Sequence, residues 1–183
     1  MEPANNIHSV WVQNALKGDS KAQSHLYQQY SKAMFHICTR MTGNREQAED
    51  VLQDAFVLAF KNLHQLKDAV QFGGWLRRIV VNECIRFSKK TIRWQEWEDH
   101  FEEIAMDDSS AWWKTVDLNM VHQQIKALPD GCREVFNLYA VEDLSHKEIA
   151  SQLGCSESTS KSQYHRAKQL LRERINAQMA LHG

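Results

Sequence analysis

Ser145 to Ile175, SHKEIASQLGCSESTSKSQYHRAKQLLRERI, constrains this chain more than any other stretch. Ser145 and Glu148 stand at capping-box spacing, so a short helix begins there with Ile149, Ala150 and Leu153 as its apolar face. Gly154 supplies the left-handed residue that ends a helix at little steric cost. Ser156 can cap a second, longer helix by accepting a hydrogen bond from a free backbone N–H near Ser158 or Thr159. Two helices joined by a tight glycine-containing turn form a helix-turn-helix, whose second helix enters the major groove of DNA.

The second helix carries matching chemistry. Lys161, His165, Arg166, Lys168, Arg172 and Arg174 make it basic, against Glu157 and Glu173. Lys161, His165 and Lys168 recur at helical spacing on one face, with Ala167, Leu170 and Leu171 on the opposite one. Ser158, Thr159, Ser160, Ser162 and Gln163 crowd its first turns with short polar groups able to reach phosphates or base edges. Alone, such a helix reads equally well as a solvated one whose cationic end suits the macrodipole. The preceding helix, glycine and cap tip the balance towards DNA.

A chain of 183 residues allows one large or two small domains. Only 2 prolines and 7 glycines point to long helices with little β-turn chemistry. A net charge of -1 looks wrong for a DNA binder. The signs are segregated, however, with basic residues at 77–93 and 161–174, and local charge governs contact with nucleic acid. Cys38, Cys84, Cys132 and Cys155 form no CxxC pair, and the histidines lack zinc-finger spacing. They read as small core cysteines of a reducing compartment, and neither a metal nor a cofactor is expected. No apolar run approaches a membrane span and the N-terminus lacks a secretory pattern, so the expected location is cytoplasmic, without membrane insertion.

The rest of the chain reads as helices. Ser9–Lys17 is stopped by Gly18; Asp19 caps a second, with Leu26, Tyr30, Ala33, Ile37 and Met41 as its stripe, ending at Gly43. Asn44 caps a third, with Ala48, Leu52, Ala55, Ala59 and Leu63 inside, supplemented by Val51 and Phe56. A loop over 64–74 leads to a fourth helix, 75–90, in which Leu76, Ile79, Val80 and Phe87 pack inward. Residues 94–117 mix Glu96, Glu98, Asp99, Glu102, Glu103, Asp107, Asp108 and Asp117 with Trp94, Trp97, Trp112 and Trp113. They read as an acidic linker that docks in part through its tryptophans. Helices return over 116–127 and 130–140 before the helix-turn-helix. The expected fold class is all-α: two small helical domains, 1–91 and 118–183, joined by the acidic linker 92–117.

Two further constellations stand out. Glu46, Glu49, Asp50, Gln53 and Asp54 line the outer face of the third helix. Solvation explains such a face, and a metal-dependent nuclease would need a convergent histidine or third acid that is not evident. Phe72 to Lys90, FGGWLRRIVVNECIRFSKK, combines cations with aromatics: Arg77, Arg78, Arg86, Lys89, Lys90 and Arg93 can hold phosphates. Phe72 and Trp75 offer faces to unstacked bases, worth about 1–3 kcal/mol per base, although Trp75 reads better as core. Asn82 interrupts the apolar run and either points outward or satisfies something specific.

In this order the pieces resemble the extracytoplasmic-function (ECF) sigma factors of bacterial transcription initiation. GNREQAEDVLQDAFVLAFKNL resembles their second-region helix, FGGWLRRIVVNECIRF the segment that melts and reads the −10 element, and LPDGCREVFNLYAVEDLSHKEIASQLGCSESTSKSQYHRAKQLLRERI the fourth-region helix-turn-helix. The likeness covers roughly residues 19–90 and 120–175. It implies partners in core RNA polymerase and promoter DNA, with an anti-sigma factor as a candidate, and no catalysis by the chain itself. By position, Asp50, Gln53 and Asp54 would face the polymerase. Phe72, Trp75, Arg77, Arg78, Asn82 and Arg86, with the 64–74 loop, would serve the −10 element. Ser156, Thr159, Lys161, Ser162, His165 and Arg166 would serve the −35 element. The family's recognition helix usually reads near SEGTVKSRLHRAR; here Ser158, Ser160, Gln163 and Tyr164 depart from it, and Ser160 replaces an apolar anchor. The loop before Trp75 is short of the usual acidic-glycine pattern.

A linker of about 25 residues extends to at most about 80 Å. The two promoter elements lie about 50–70 Å apart, so it can span them. The resemblance also likens its acidity to a segment threading a basic polymerase channel. The rival reading is a stand-alone helix-turn-helix regulator, dimeric on a palindromic site, with 1–90 as a sensor.

Overall fold

A computed structural model describes residues 4–92 and 118–182. All secondary structure among these residues is helical, as the composition and resemblance led us to expect, and it falls into two compact units, residues 1–87 and 88–183. The acidic linker and its tryptophans lie outside the described residues.

In the first unit, α1 (Ala4–Leu16) starts earlier than expected and ends just before Gly18, whose φ of 86° is the left-handed conformation. Helix α2 (Ser20–Thr42) begins where the Asp19 carboxylate accepts hydrogen bonds from the Lys21 and Ala22 N–H groups, and it stops at the left-handed Gly43. Its buried stripe is Ala22, Leu26, Met34, Ile37, Cys38 and Met41. Ala33, expected there, is exposed because Met34 and Ile37 already carry that face inward. Asn44 caps α3 (Arg45–Lys61) by accepting from Gln47 N–H at 3.1 Å. Ala48, Val51, Leu52, Ala55, Phe56, Ala59 and the following Leu63 are all buried as their spacing requires. α2 packs along both α3 and α1.

The segment after α3 departs from expectation. Two short 3₁₀ turns, Leu63–Gln65 and Ala69–Gln71, occupy the predicted loop, and α4 (Phe72–Thr91) starts at Phe72, not Trp75. Gly73 and Gly74 are therefore helical. A Cβ on Gly73 would stand 3.0 Å from Cε1 of Tyr30, so glycine permits the close approach of α4 to that ring. Phe72 is 0% exposed and packs its ring against those of His8, Tyr30 and Trp75. The Tyr30 hydroxyl and His8 Nε2 share a 2.7 Å hydrogen bond beside it. Leu76, Val80, Val81, Cys84 and Ile85 continue the buried face of α4, while Ile79 and Phe87 are half-buried.

In the second unit, α5 (Leu118–Lys126), α6 (Asp130–Ala140) and α7 (His146–Leu153) each pack on the long α8 (Glu157–His182). Ile125, Leu128, Cys132, Ala167 and Leu171 form the core, with Val121, Phe136 and Leu170 against it. Buried Arg133 donates to the carbonyls of Lys126 and Leu128, at 3.3 and 2.8 Å, and so satisfies the end of α5 that would otherwise be orphaned. Arg174 does the same for Ala127 from α8, at 2.9 Å.

Candidate nucleic-acid and partner interface

The helix-turn-helix forms through the expected contacts. Ser145 and Glu148 make a reciprocal capping box, and the serine's hydrogen bonds hold the exposed Glu148 carboxyl below its ordinary range. Gly154, at φ 73°, turns the chain, and the Ser156 hydroxyl accepts from Thr159 N–H at 3.0 Å to start α8.

The expected DNA-facing residues divide at this point. Thr159 is only 4% exposed, and its hydroxyl bonds Ser156 Oγ at 2.7 Å. It belongs to the turn, and its expected role on DNA is corrected accordingly. Ser156 remains exposed but is engaged in the same cap. Lys161 is exposed, with a 2.8 Å ion pair to Glu157 one turn earlier, and its hydrogen bond and charge hold the Glu157 carboxyl down. Ser162 donates to the Thr159 carbonyl at 2.9 Å, and it is half-buried, as are His165 and Arg166. Lys168 places its ammonium 5.0 Å from the Tyr164 ring centroid.

Phe72 requires a second correction. Its ring is sealed in the first unit's core and cannot stack on a base. The spacing Phe72, Leu76, Val80 carries the signal of a buried face, which the loop signature of Gly73-Gly74 obscures. Trp75 is half-buried against Phe72, while Arg77, Arg78 and Asn82 are exposed on the outside of α4. Arg86 is exposed too, but its guanidinium contacts Glu83 and lies 3.5 Å from Asp54, so its charge is already partly answered.

On α3, Glu46, Glu49, Asp50, Gln53 and Asp54 all face outward, with Arg45 paired to Glu49 at 2.9 Å. Val57 stands 64% exposed, one turn beyond Gln53 and Asp54. A single valine in a helix carries little signal in the sequence; its helical spacing from Asp50, Gln53 and Asp54 is the signal there is. No three or more His, Cys, Asp or Glu side chains cluster to hold a metal ion among the described residues. None of the described helices is long and apolar enough to cross a membrane.

Comparison with known proteins follows the same division. Residues 26–95 match the family model for Sigma-70 region 2, and residues 118–171 that for Sigma-70, region 4. The ECF RNA polymerase sigma factor SigW of Bacillus subtilis is 30% identical over 176 residues, covering 90% of this chain and 94% of that one. The ECF RNA polymerase sigma-E factor of Escherichia coli is 26% identical over 179 residues, covering 91% and 93%. Among solved structures, that of CnrH in complex with the cytosolic domain of CnrY aligns over 93% of this chain and 97% of that chain, at 26% identity and a TM-score of 0.48. A stand-alone regulator would explain residues 118–171 only, so the match over 26–95 removes that alternative. The chain belongs to the extracytoplasmic-function family of RNA polymerase sigma factors.

Proposed function

We propose that this chain binds core RNA polymerase through the outer face of α3 and directs it to promoters. In this reading α4 and the 64–74 loop engage the −10 element and α8 engages the −35 element. Asp50, Gln53 and Asp54 form a polar, mainly acidic stripe that runs up to the exposed apolar side chain of Val57, a composition suited to a basic partner surface. Arg77, Arg78 and Asn82 lie on one exposed side of α4, with the half-buried Trp75 nearby. Lys161, Ser162, His165 and Arg166 supply charge and hydrogen bonding along the start of α8. The chain makes and breaks no covalent bonds; capture of exposed bases and polymerase contacts drive duplex opening, in the cytoplasm where the polymerase works. The observation that carries this reading is the pairing, in one chain, of a region 2 unit with a capped region 4 helix-turn-helix.

Transcription by core polymerase with and without the purified chain, on a library of randomised promoters, tests it. Enrichment of a bipartite sequence only when the chain is present is expected; unselective starts would overturn the assignment. Within that assay, Lys161→Ala is expected to weaken binding of the −35 element and to flatten its log–log salt dependence by about 0.9, one phosphate contact's worth. A slope equal to that of the unaltered chain would remove Lys161 from the DNA face.

A further inference from the structure

Ser160 and Tyr164, two of the places where this recognition helix departs from the family's usual apolar pattern, converge on the same side chain. Ser160 is 0% exposed, and its hydroxyl shares a 2.9 Å hydrogen bond with Nδ1 of His146, the first residue of α7. The imidazole stacks on Tyr139 of α6, with centroids 4.3 Å apart and planes 15° from parallel, and it meets Tyr164 of α8 edge-on at 5.7 Å. Tyr139 and Tyr164 also touch each other, at 4.5 Å. One ring therefore joins α6, α7 and α8. Its partners on α8, residues 160 and 164, are one turn apart and alternate with Lys161 and His165 on the outward side.

A buried apolar anchor fixes how far a helix is inserted but tolerates rotation about its axis. A hydrogen bond is directional and fixes rotation as well. Two aromatic contacts at defined angles add to that restraint. Burial, chiefly, and then the charge of Lys161 hold the His146 imidazole below its ordinary pKa. A neutral ring is the form that stacks on Tyr139 without importing a charge.

Resting on the reading of α8 as the −35 reader, we propose that His146 is a positioning residue for promoter recognition: through Ser160 and Tyr164 it sets the rotation at which α8 presents Lys161, Ser162, His165 and Arg166 to the major groove. Ser160 and His146 form a compensating polar pair in place of an apolar anchor, so they act as a unit.

The test is run-off transcription by holoenzyme from a promoter selected by the unaltered chain, and from the same promoter with its −35 element scrambled; the ratio measures −35 discrimination. His146→Phe keeps the ring but strands the buried Ser160 hydroxyl, and Ser160→Ala strands Nδ1. Each is expected to lower the ratio about tenfold, as loss of one buried hydrogen-bond partner does. The double variant His146→Phe/Ser160→Ala leaves neither group unpaired but lacks the directional bond, so its ratio is expected to stay within about twofold of the single variants'. Melting curves for all four chains establish that each is folded at the assay temperature. A double variant whose ratio returns to the original, single losses that multiply in it, or singles with an unaltered ratio would overturn the proposal. An unaltered chain indifferent to scrambling would instead overturn the assignment of α8 to the −35 element, and the positioning role with it.

Discussion

A chain carrying Asp50→Arg and Asp54→Arg together is expected to lose capture by core RNA polymerase by at least about a hundredfold, since reversing charges at a complementary interface costs several kcal/mol. The fold's stake in these carboxylates is confined to one exposed 3.5 Å contact between Asp54 and Arg86. The packing of α3 rests on Ala48, Val51, Leu52, Ala55 and Phe56, all on the opposite side. Asp50 and Asp54 are a like-charged pair one turn apart, and two arginines there repeat a repulsion of only about 0.2–0.5 kcal/mol. The guanidinium introduced by Asp50→Arg would find Glu46 one turn before it, and Arg86 would keep Glu83 once the Asp54 carboxylate is gone. Circular dichroism should therefore show undiminished helix while a pull-down with core polymerase comes up empty. Retention of the doubly reversed chain at the level of the original would take this face of α3 out of the polymerase contact.

The same division between local and distant causes decides how much of the molecule was legible beforehand. Caps and stops depend on neighbours in sequence, and they were legible: Asp19, Asn44, Ser145 and Ser156 each accept the backbone hydrogen bond their positions predict, and Gly43 and Gly154 adopt the left-handed conformation. Helical periodicity similarly placed the acidic residues of α3 outside and Ile149, Ala150 and Leu153 inside. The start of α4 was not legible, because Gly73-Gly74 carries the signature of a loop. Gly73 instead serves a close approach to the Tyr30 ring, 43 positions away (73 against 30): a Cβ there would stand 3.0 Å from Cε1, tighter than ordinary packing. The roles of Thr159 and Ser160 were misread or left open for a related reason. Serine and threonine at the start of a recognition helix suit phosphates and caps equally well. Only the fold shows that Thr159 serves the turn and Ser160 serves His146, fourteen residues upstream.

Replacing Glu134 by glutamine is expected to stabilise the second unit on the order of 4 kcal/mol at pH 8.5, and by little at pH 5. Glu134 of α6 is fully buried, and burial pushes its carboxyl up from 4.5 to about 8, against partial opposition from the Ser88 hydroxyl and then the charge of Arg133. Below pH 4.5 the acid is protonated whether the chain is folded or not, and it imposes no penalty. Between pH 4.5 and 8 the unfolded chain releases the proton while the folded chain retains it, so stability falls as pH rises, at about 1.4 kcal/mol per unit. Above pH 8 both states are ionised and the loss levels off. Glutamine keeps the shape and the hydrogen-bonding capacity of the protonated acid but has no proton to release, so the variant's stability should lack this component. Urea unfolding of both chains, followed by helical circular dichroism at pH 5, 7 and 8.5, measures the difference. A gap that widens with pH is the expected result. Parallel curves would mean that the Glu134 carboxylate ionises inside the folded chain as readily as outside it, and that water or a cation reaches it in solution.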